Sequence, residues 1–331
     1  MVATMEKEHI KILQTGHYDL MQKIDLKAFR EHNRQKPKGL VDKLMSEQEA
    51  IKKYIKEGDY IATELYGTVR CPMSLVREVI RQGYKNLRMA GQGVLEMDML
   101  AAARCFTELD WTYIGLEVYG VSQNLRRAVE SGYVTKVVEW SNAAIAWRFK
   151  AAAMGVPFLP ISAMLGTDTM KYSSAKVIEC PFTGQPLCVI PALVLDCGLI
   201  HVNRADKHGN CQIDGVSGFA MEMARASKNL IISAEEIVDT EEIRAHPDRT
   251  IIPYYVVDAV VHAPYGSHPG EMSGQYERDE EHIKNYFTLS ADVEKVKNYL
   301  NEWVYSIENH EDYLKQVGED KLKGLKVETK D

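Results

Sequence analysis

Val257-Asp-Ala-Val-Val-His-Ala-Pro-Tyr-Gly-Ser-His-Pro-Gly270 is an apolar, β-branched run that stops at a small, polar loop carrying two prolines, two glycines and a second histidine. Its length and content predict a strand buried on both faces, with Pro264, Gly266, Pro269 and Gly270 fixing an irregular loop after it. Burial on both faces is the condition of parallel strands covered by helices. Open parallel sheets bind their ligands at the carboxyl ends of the strands. An ordinary strand-to-loop exit carries the same local signature, so this stretch decides the fold before it decides a site.

Outward from it the same alternation repeats. Ser46-Glu-Gln-Glu49 is a capping box opening a helix that ends before Gly58, and Tyr60 to Tyr66 reads as a strand. A helix from Ser74 to Gly83 leads to a strand at Asn86–Ala90 and a loop at Gly91-Gln-Gly93. Strands follow at Trp111–Gly115 and Thr135–Glu139, with a helix from Ser122 to Ser131 between them. Ser141 caps a longer helix that stops at Gly155. Strands over Pro191–Val202 and Leu230–Val238 flank an Ala/Met-rich helix, and from Asp292 the chain reads as charged helix. This order predicts an α/β fold: an open, mainly parallel sheet with helices on both faces. Met164 to Gln185 breaks the alternation and reads as a long excursion near a subunit contact or a site.

Composition adds bounds. The 331 residues are 45% hydrophobic and 26% charged, with a net charge of -7, the make-up of a globular protein with a large core. Met1 to Met45 carries nine Lys/Arg against six Asp/Glu, too weak a bias to argue for nucleic acid. Residues 1–44 read as an extension, either a solvated arm or one that packs on a partner chain, and 45–331 as the main domain. The six cysteines are irregularly spaced and no secretory leader is read, so free thiols in a cytoplasmic protein are expected. No apolar run has a membrane-spanning length, and no zinc spacing is present. His262 and His268, six apart across a Pro-Tyr-Gly turn, do not match a metal pattern either. There is no Gly-x-Ser-x-Gly elbow and no Walker loop.

Candidate chemistry collects at strand exits. Gly91-Gln92-Gly93 lets backbone amides approach an anionic or carbonyl group, or is simply a tight turn. Glu139 ends a strand directly before a helix start, where a carboxylate is held by amides, as a helix-start acid or as a base. Gly115, Glu117 and Ser122 follow another strand. Tyr265, Gly266 and His268 shape the loop of the opening stretch, while His201 and His208 read as satisfied loop histidines.

The opening segment, together with Ala143-Ala144-Ile145 through Ala151-Ala-Ala-Met-Gly-Val-Pro-Phe-Leu-Pro160, Asp196-Cys-Gly-Leu-Ile-His201, Ser233-Ala-Glu-Glu-Ile-Val238 and Asn301-Glu-Trp-Val304, resembles the A (alpha) subunits of class I CoA-transferases. The likeness includes glutaconate CoA-transferase and runs in order from about Met45 to about Lys326. It implies the CoA-transferase fold and the transfer of CoA between an acyl-CoA and a carboxylic acid. Coenzyme A and acyl-CoA are then substrates, with no permanently bound cofactor. It implies Gly91, Gln92 and Gly93 near the active site, Gly115, Glu117 and Ser122 facing the acyl group, and Tyr265, Gly266 and His268 lining the site. In related subunits of cholesterol ring-opening hydrolases a glutamate in this neighbourhood is the proposed base, which makes Glu139, with Asn142 three positions on, the leading catalytic candidate. Two departures bear on substrate choice: the Gly115 segment is shorter, and Glu64 to Pro72 keeps Arg70 and Pro72 but loses a double glycine.

The family's covalent nucleophile is a glutamate of the B subunit, in a Ser-Glu-Asn-Gly motif. This sequence contains no Glu-Asn-Gly, and Glu308-Asn309 is followed by His310. The resemblance therefore implies a chain of the A type that works only with a homologous B (beta) subunit, in a heterodimer or α2β2 tetramer. Without the partner's glutamate the same pair could act as a CoA-thioester ring-opening hydrolase. A third reading, a non-catalytic sensor of CoA esters or sugar phosphates, finds no helix-turn-helix or basic patch in the sequence.

Overall fold

The computed structural model describes residues 10–64 and 67–327, without the side chains at positions 92, 93 and 114. Seven parallel strands make the body of the nine-stranded central sheet: β1 (Tyr60–Thr63), β2 (Leu87–Gly93), β3 (Phe106–Ile114), β4 (Lys136–Glu139), β5 (Leu195–Asp206), β6 (Ser227–Val238) and β7 (Ala259–His262), with Cys211–Gln212 and Thr250–Ile252 added antiparallel beside β5. Their order is β4-β3-β2-β1-β5-β6-β7. The chain thus winds outward from β1 to one edge, returns, and winds outward from β5 to the other. The reversal between β1 and β5 is a topological switch point, where the connections on either side leave a crevice.

The period of two along each strand divides the core into two layers. Ile61, Leu199, Ile231 and Val261 face one cluster, packed under the helices Glu47–Tyr54, Met73–Arg81 and Leu95–Ala102. Tyr60, Ala62, Ile200, Ile232 and Val260 face the other, under the helix Asn142–Met154. The sequence signals for two of these helices are present in full. Ser46 and Glu49 form the reciprocal capping box, and Ser141 caps a helix closed by Gly155 in the left-handed conformation. No helix among the described residues is long and apolar enough to cross a membrane.

Three regions differ from the sequence-based expectation. The helix Leu95–Ala102 is an addition to it, because almost every side chain on this helix is buried and no amphipathic stripe marks it. Gly91 to Gly93, read as a loop, continues β2, with an irregular register against β3. Met164 to Gln185 is no loose excursion: Lys176–Glu179 and Pro186–Pro191 form a hairpin in a separate antiparallel sheet ordered Ile12–Thr15, Lys176–Glu179, Pro186–Pro191, Phe158–Ile161.

The N-terminal segment is tied to the body of the protein. Ile12–Thr15 joins the small sheet, and Leu26–Gln35 is a helix. Lys43 to Met45 runs beside β7, where the Val260 amide donates to the Lys43 carbonyl (2.9 Å) and the Met45 amide to the Val260 carbonyl (3.0 Å). An exposed strand edge is a template for association, and this segment covers it. Lys36, itself buried, pairs with Asp258 at 2.6 Å to fasten the cover.

Candidate active site

The apolar run before Pro264 folds as a shorter strand than its composition suggests, Ala259–His262, with Ala259, Val260 and Val261 buried and His262 exposed. The loop after it is held by β6. Glu235 accepts from the Tyr265 amide (2.5 Å), the Gly266 amide (3.2 Å) and the Tyr276 hydroxyl. His201 of β5, fully buried, sits between Ser233 Oγ (2.8 Å at Nδ1) and Glu235 Oε1 (2.7 Å at Nε2). A carboxylate that gathers two loop amides, the Tyr276 hydroxyl and the His201 imidazole ties the loop to both strands beneath it. Gly266 is required by space: a Cβ there would lie 2.5 Å from His201 Cε1 and 2.6 Å from the Ala263 carbonyl oxygen.

The loop's far end is locked from the C-terminal helices. His268 is buried, with Nδ1 at 2.7 Å from the Tyr313 hydroxyl, and its carbonyl accepts from Arg77 at 3.0 Å. The Arg77 guanidinium lies 3.5 Å from the centre of the Tyr313 ring and 3.3 Å from His310 Nδ1. His310 Nε2 is bonded to the Pro264 carbonyl at 2.7 Å. Burial pushes the His268, His282 and His310 rings down, the last two to about 3.

A second loop, leaving β1, rests on the first. The Arg70 amide donates to the Glu271 carbonyl (3.0 Å), and a Cβ on Gly270 would stand 2.1 Å from the Thr68 carbonyl oxygen. Arg70 has a positive φ of 55° and a fully buried side chain. It meets both oxygens of Glu64 (2.6 and 3.0 Å) and donates to the carbonyls of His201 (3.1 Å) and Val216 (3.2 Å). This pair clamps the end of β1 to the middle of β5 at the switch point.

The third wall follows β3. Gly115 is buried against Tyr113, and Glu117, at φ 53°, is exposed beside Gly67, where a Cβ would be 3.6 Å from Glu117 Oε1. Tyr113, Val118 and Val121 stand exposed on the same rim. Gly91 and Gly93 place the β2 backbone next to it, Gly93 pairing with Ile114; the side chain of Gln92 lies outside the described residues.

The sequence-derived candidates therefore divide. Gly91, Gly93, Gly115 and Glu117, with the loop of Tyr265, Gly266 and His268, surround the loop after β1. Ser122 is buried and its hydroxyl is committed to Asp98, as are the Asn124 and Tyr286 side chains. Glu139 ends the edge strand β4, half-buried, with its carboxyl raised by burial and then by Asp168. Three strand spacings separate β4 from β1, about 14 Å. Asn142, the first residue of the next helix, is exposed there. The sequence reading missed Glu64, Glu96, Cys71 and Glu235. For Glu96 a signal existed: Leu95-Glu-Met-Asp-Met-Leu-Ala-Ala102 sets two acids among six apolar side chains.

All six cysteines are free, and no group of three or more His, Cys, Asp or Glu among the described residues has a geometry for a metal ion. Donors and acids gathered where these three loops meet suit acyl chemistry. Residues 44–263 match the coenzyme A transferase family. The A subunit of glutaconate CoA-transferase from Acidaminococcus fermentans is 33% identical over 87% of this chain and 95% of that one. The crystal structure of that organism's glutaconate coenzyme A-transferase superposes with a TM-score of 0.83, at 32% identity, over 87% of this chain and 96% of the other. The A subunit of 3-oxoadipate CoA-transferase from Pseudomonas knackmussii is 32% identical over 84% of this chain and 99% of its own length. The IpdA subunit of the cholesterol ring-cleaving hydrolase of Rhodococcus jostii is 29% identical over 74% and 86%.

Proposed function

This chain belongs to the coenzyme A transferase family, and from that premise we propose that it is the A subunit of a heteromeric enzyme moving CoA between an acyl-CoA and a carboxylic acid. The observation that carries the reading is a near-full-length match to the A subunits of two CoA-transferases in a chain that has no Glu-Asn-Gly of its own. The nucleophile then belongs to a homologous B subunit in a cytoplasmic heterodimer or α2β2 assembly. Its glutamate attacks the thioester carbonyl and expels CoA thiolate, leaving a mixed anhydride. The thiolate attacks the glutamyl carbonyl, freeing the first acid and forming a glutamyl-CoA thioester. The incoming carboxylate repeats the sequence in reverse.

This chain's own share is to bind and polarise. Backbone amides at the end of β2 and in the loops after β1 and β3 supply donors toward the carbonyl oxygen that becomes negative, while the loop after β7, its own amides already bonded, holds them in place. The exposed Tyr113, Val118 and Val121 beside Glu117 suit a partner surface closing over that crevice. The raised, half-buried Glu139, with no ion-pair partner among the described residues, favours a second reading, in which it serves as base of a ring-opening hydrolase.

Co-expression with a B subunit, incubation with acyl-CoA, borohydride reduction and peptide mapping decide between them. A reduced glutamate on the partner is expected. No modified glutamate, together with activity lost in Glu139→Ala, would replace transfer by hydrolysis.

A further inference from the structure

Glu96 lies in the first turn of the Leu95–Ala102 helix, directly after β2, and is fully buried. The Cys71 thiol points to its Oε2 at 3.5 Å and to the Gly67 carbonyl oxygen at 3.3 Å. Since Gly67 also borders Glu117, Glu96 sits beneath the gap between the loop after β1 and the loop after β3. Its Oε1 has no hydrogen-bond partner among the described residues, and neither has the buried Thr63 Oγ1 at the end of β1. A buried carboxyl oxygen left without a partner calls for a hydrogen-bonding group.

No cation among the described residues neutralises Glu96. Around Cys71 stand Glu64 from the end of β1, Glu96 from its own helix and Glu271 from the loop after β7. Arg70, the cation among them, is bonded through both Nη atoms to Glu64, and Arg278 is 3.9 Å from Glu271. Asp98, further along the same helix, is filled by Ser122, Asn124 and Tyr286. Burial pushes the Glu96 carboxyl up to about 7. A buried anion with an empty oxygen is costly, whereas the acid keeps an O–H that can be used.

We propose that Glu96 is a hydrogen-bond donor of the acyl-transfer site, its carboxylic O–H meeting the oxygen that becomes negative when a thioester or anhydride carbonyl is attacked. The proposal rests on the CoA-transferase reading. A carboxylic acid kept neutral by an apolar site is an effective oxyanion donor, because its dipole is already oriented and needs no reorganisation.

The test uses two variants, each in complex with the B subunit. Glu96→Leu removes the donor and is expected to lower kcat on the order of 10²-fold with little change in KM. Glu96→Gln keeps an N–H donor that does not titrate. It should retain most activity and lose the fall in kcat that the wild type shows as pH rises through about 7. Infrared difference spectra of the resting complex, between mildly acidic and mildly alkaline buffer, should show a protonated-carboxyl band that Glu96→Gln lacks. An active complex in which Glu96→Leu keeps the wild-type kcat, or Glu96→Gln keeps the alkaline fall, overturns the proposal alone. If Glu96→Leu does not fold, the Glu96→Gln profile and the infrared band decide. A wild-type complex without transferase activity overturns the parent reading and this proposal with it.

Discussion

Replacing His282 by Phe should make the protein less sensitive to acid, and the size of the change can be worked out. His282 is packed edge-on against Trp303 (4.7 Å) and Tyr299 (5.8 Å), and its Nε2 meets the Tyr299 hydroxyl at 2.8 Å. Burial, then the neighbouring His268, lower its pKa from 6.5 to about 3. The ring is neutral when folded and protonates when unfolded, so its stabilising effect is complete above pH 6.5. It is lost progressively as pH falls toward 3. Each pH unit in that range costs about 1.4 kcal/mol, so the contribution lost between pH 8 and pH 5 is about 2 kcal/mol. Glu96 acts with the opposite sign over part of this range, because its folded pKa is raised, but it is common to both proteins and cancels in the difference. At pH 8 the Phe variant should be the weaker protein by about 1 kcal/mol for the orphaned Tyr299 hydroxyl. By pH 5 the order should reverse. Urea unfolding of both proteins at several pH values measures this. A stability difference that does not change with pH would refute the reasoning.

Other expectations follow from the loops and the arm. Arg70→Ala leaves Glu64 charged and unpaired in the core, and should cost about 3–5 kcal/mol in chemical denaturation. Gly266→Ala drives a Cβ into His201 and the Ala263 carbonyl; it should cost about 1–3 kcal/mol by thermal melting and depress activity in the assembled complex. Deleting residues 2–42 strips Lys36 from Asp258 and loosens the strip covering β7, so light scattering should report aggregation where the full chain is dispersed.

Much of the fold was legible because its signals are local. The capping box at Ser46, the cap at Ser141 with Gly155, and the apolar run before Pro264 each announce an element from a few neighbouring residues. The helix Leu95–Ala102 was not legible, because burial on all sides erases the periodicity by which a helix is recognised. The small sheet was missed for a different reason. Its edge pairs Ile12–Thr15 with Lys176–Glu179, and register across that separation leaves no trace in either stretch. The site shows the same division. Gly266 and Tyr265 could be singled out from the loop's composition, but Glu235, which holds them, is one acid in an ordinary strand until the fold brings it to their amides.

The position of β1 governs when the crevice can exist at all. Thr63 pairs with Leu199, and the Arg70 loop is laid on Glu271, about 200 residues later. At a synthesis rate of about 5–20 residues per second, the loop after β1 waits on the order of 10–40 s for the residue that seats it. Until then the Arg70 amide lacks its acceptor, and the floor of the site is unformed. Gly67, which borders Glu117, belongs to the loop that Glu271 seats, so the walls around the crevice come together only after the loop following β7 has been made.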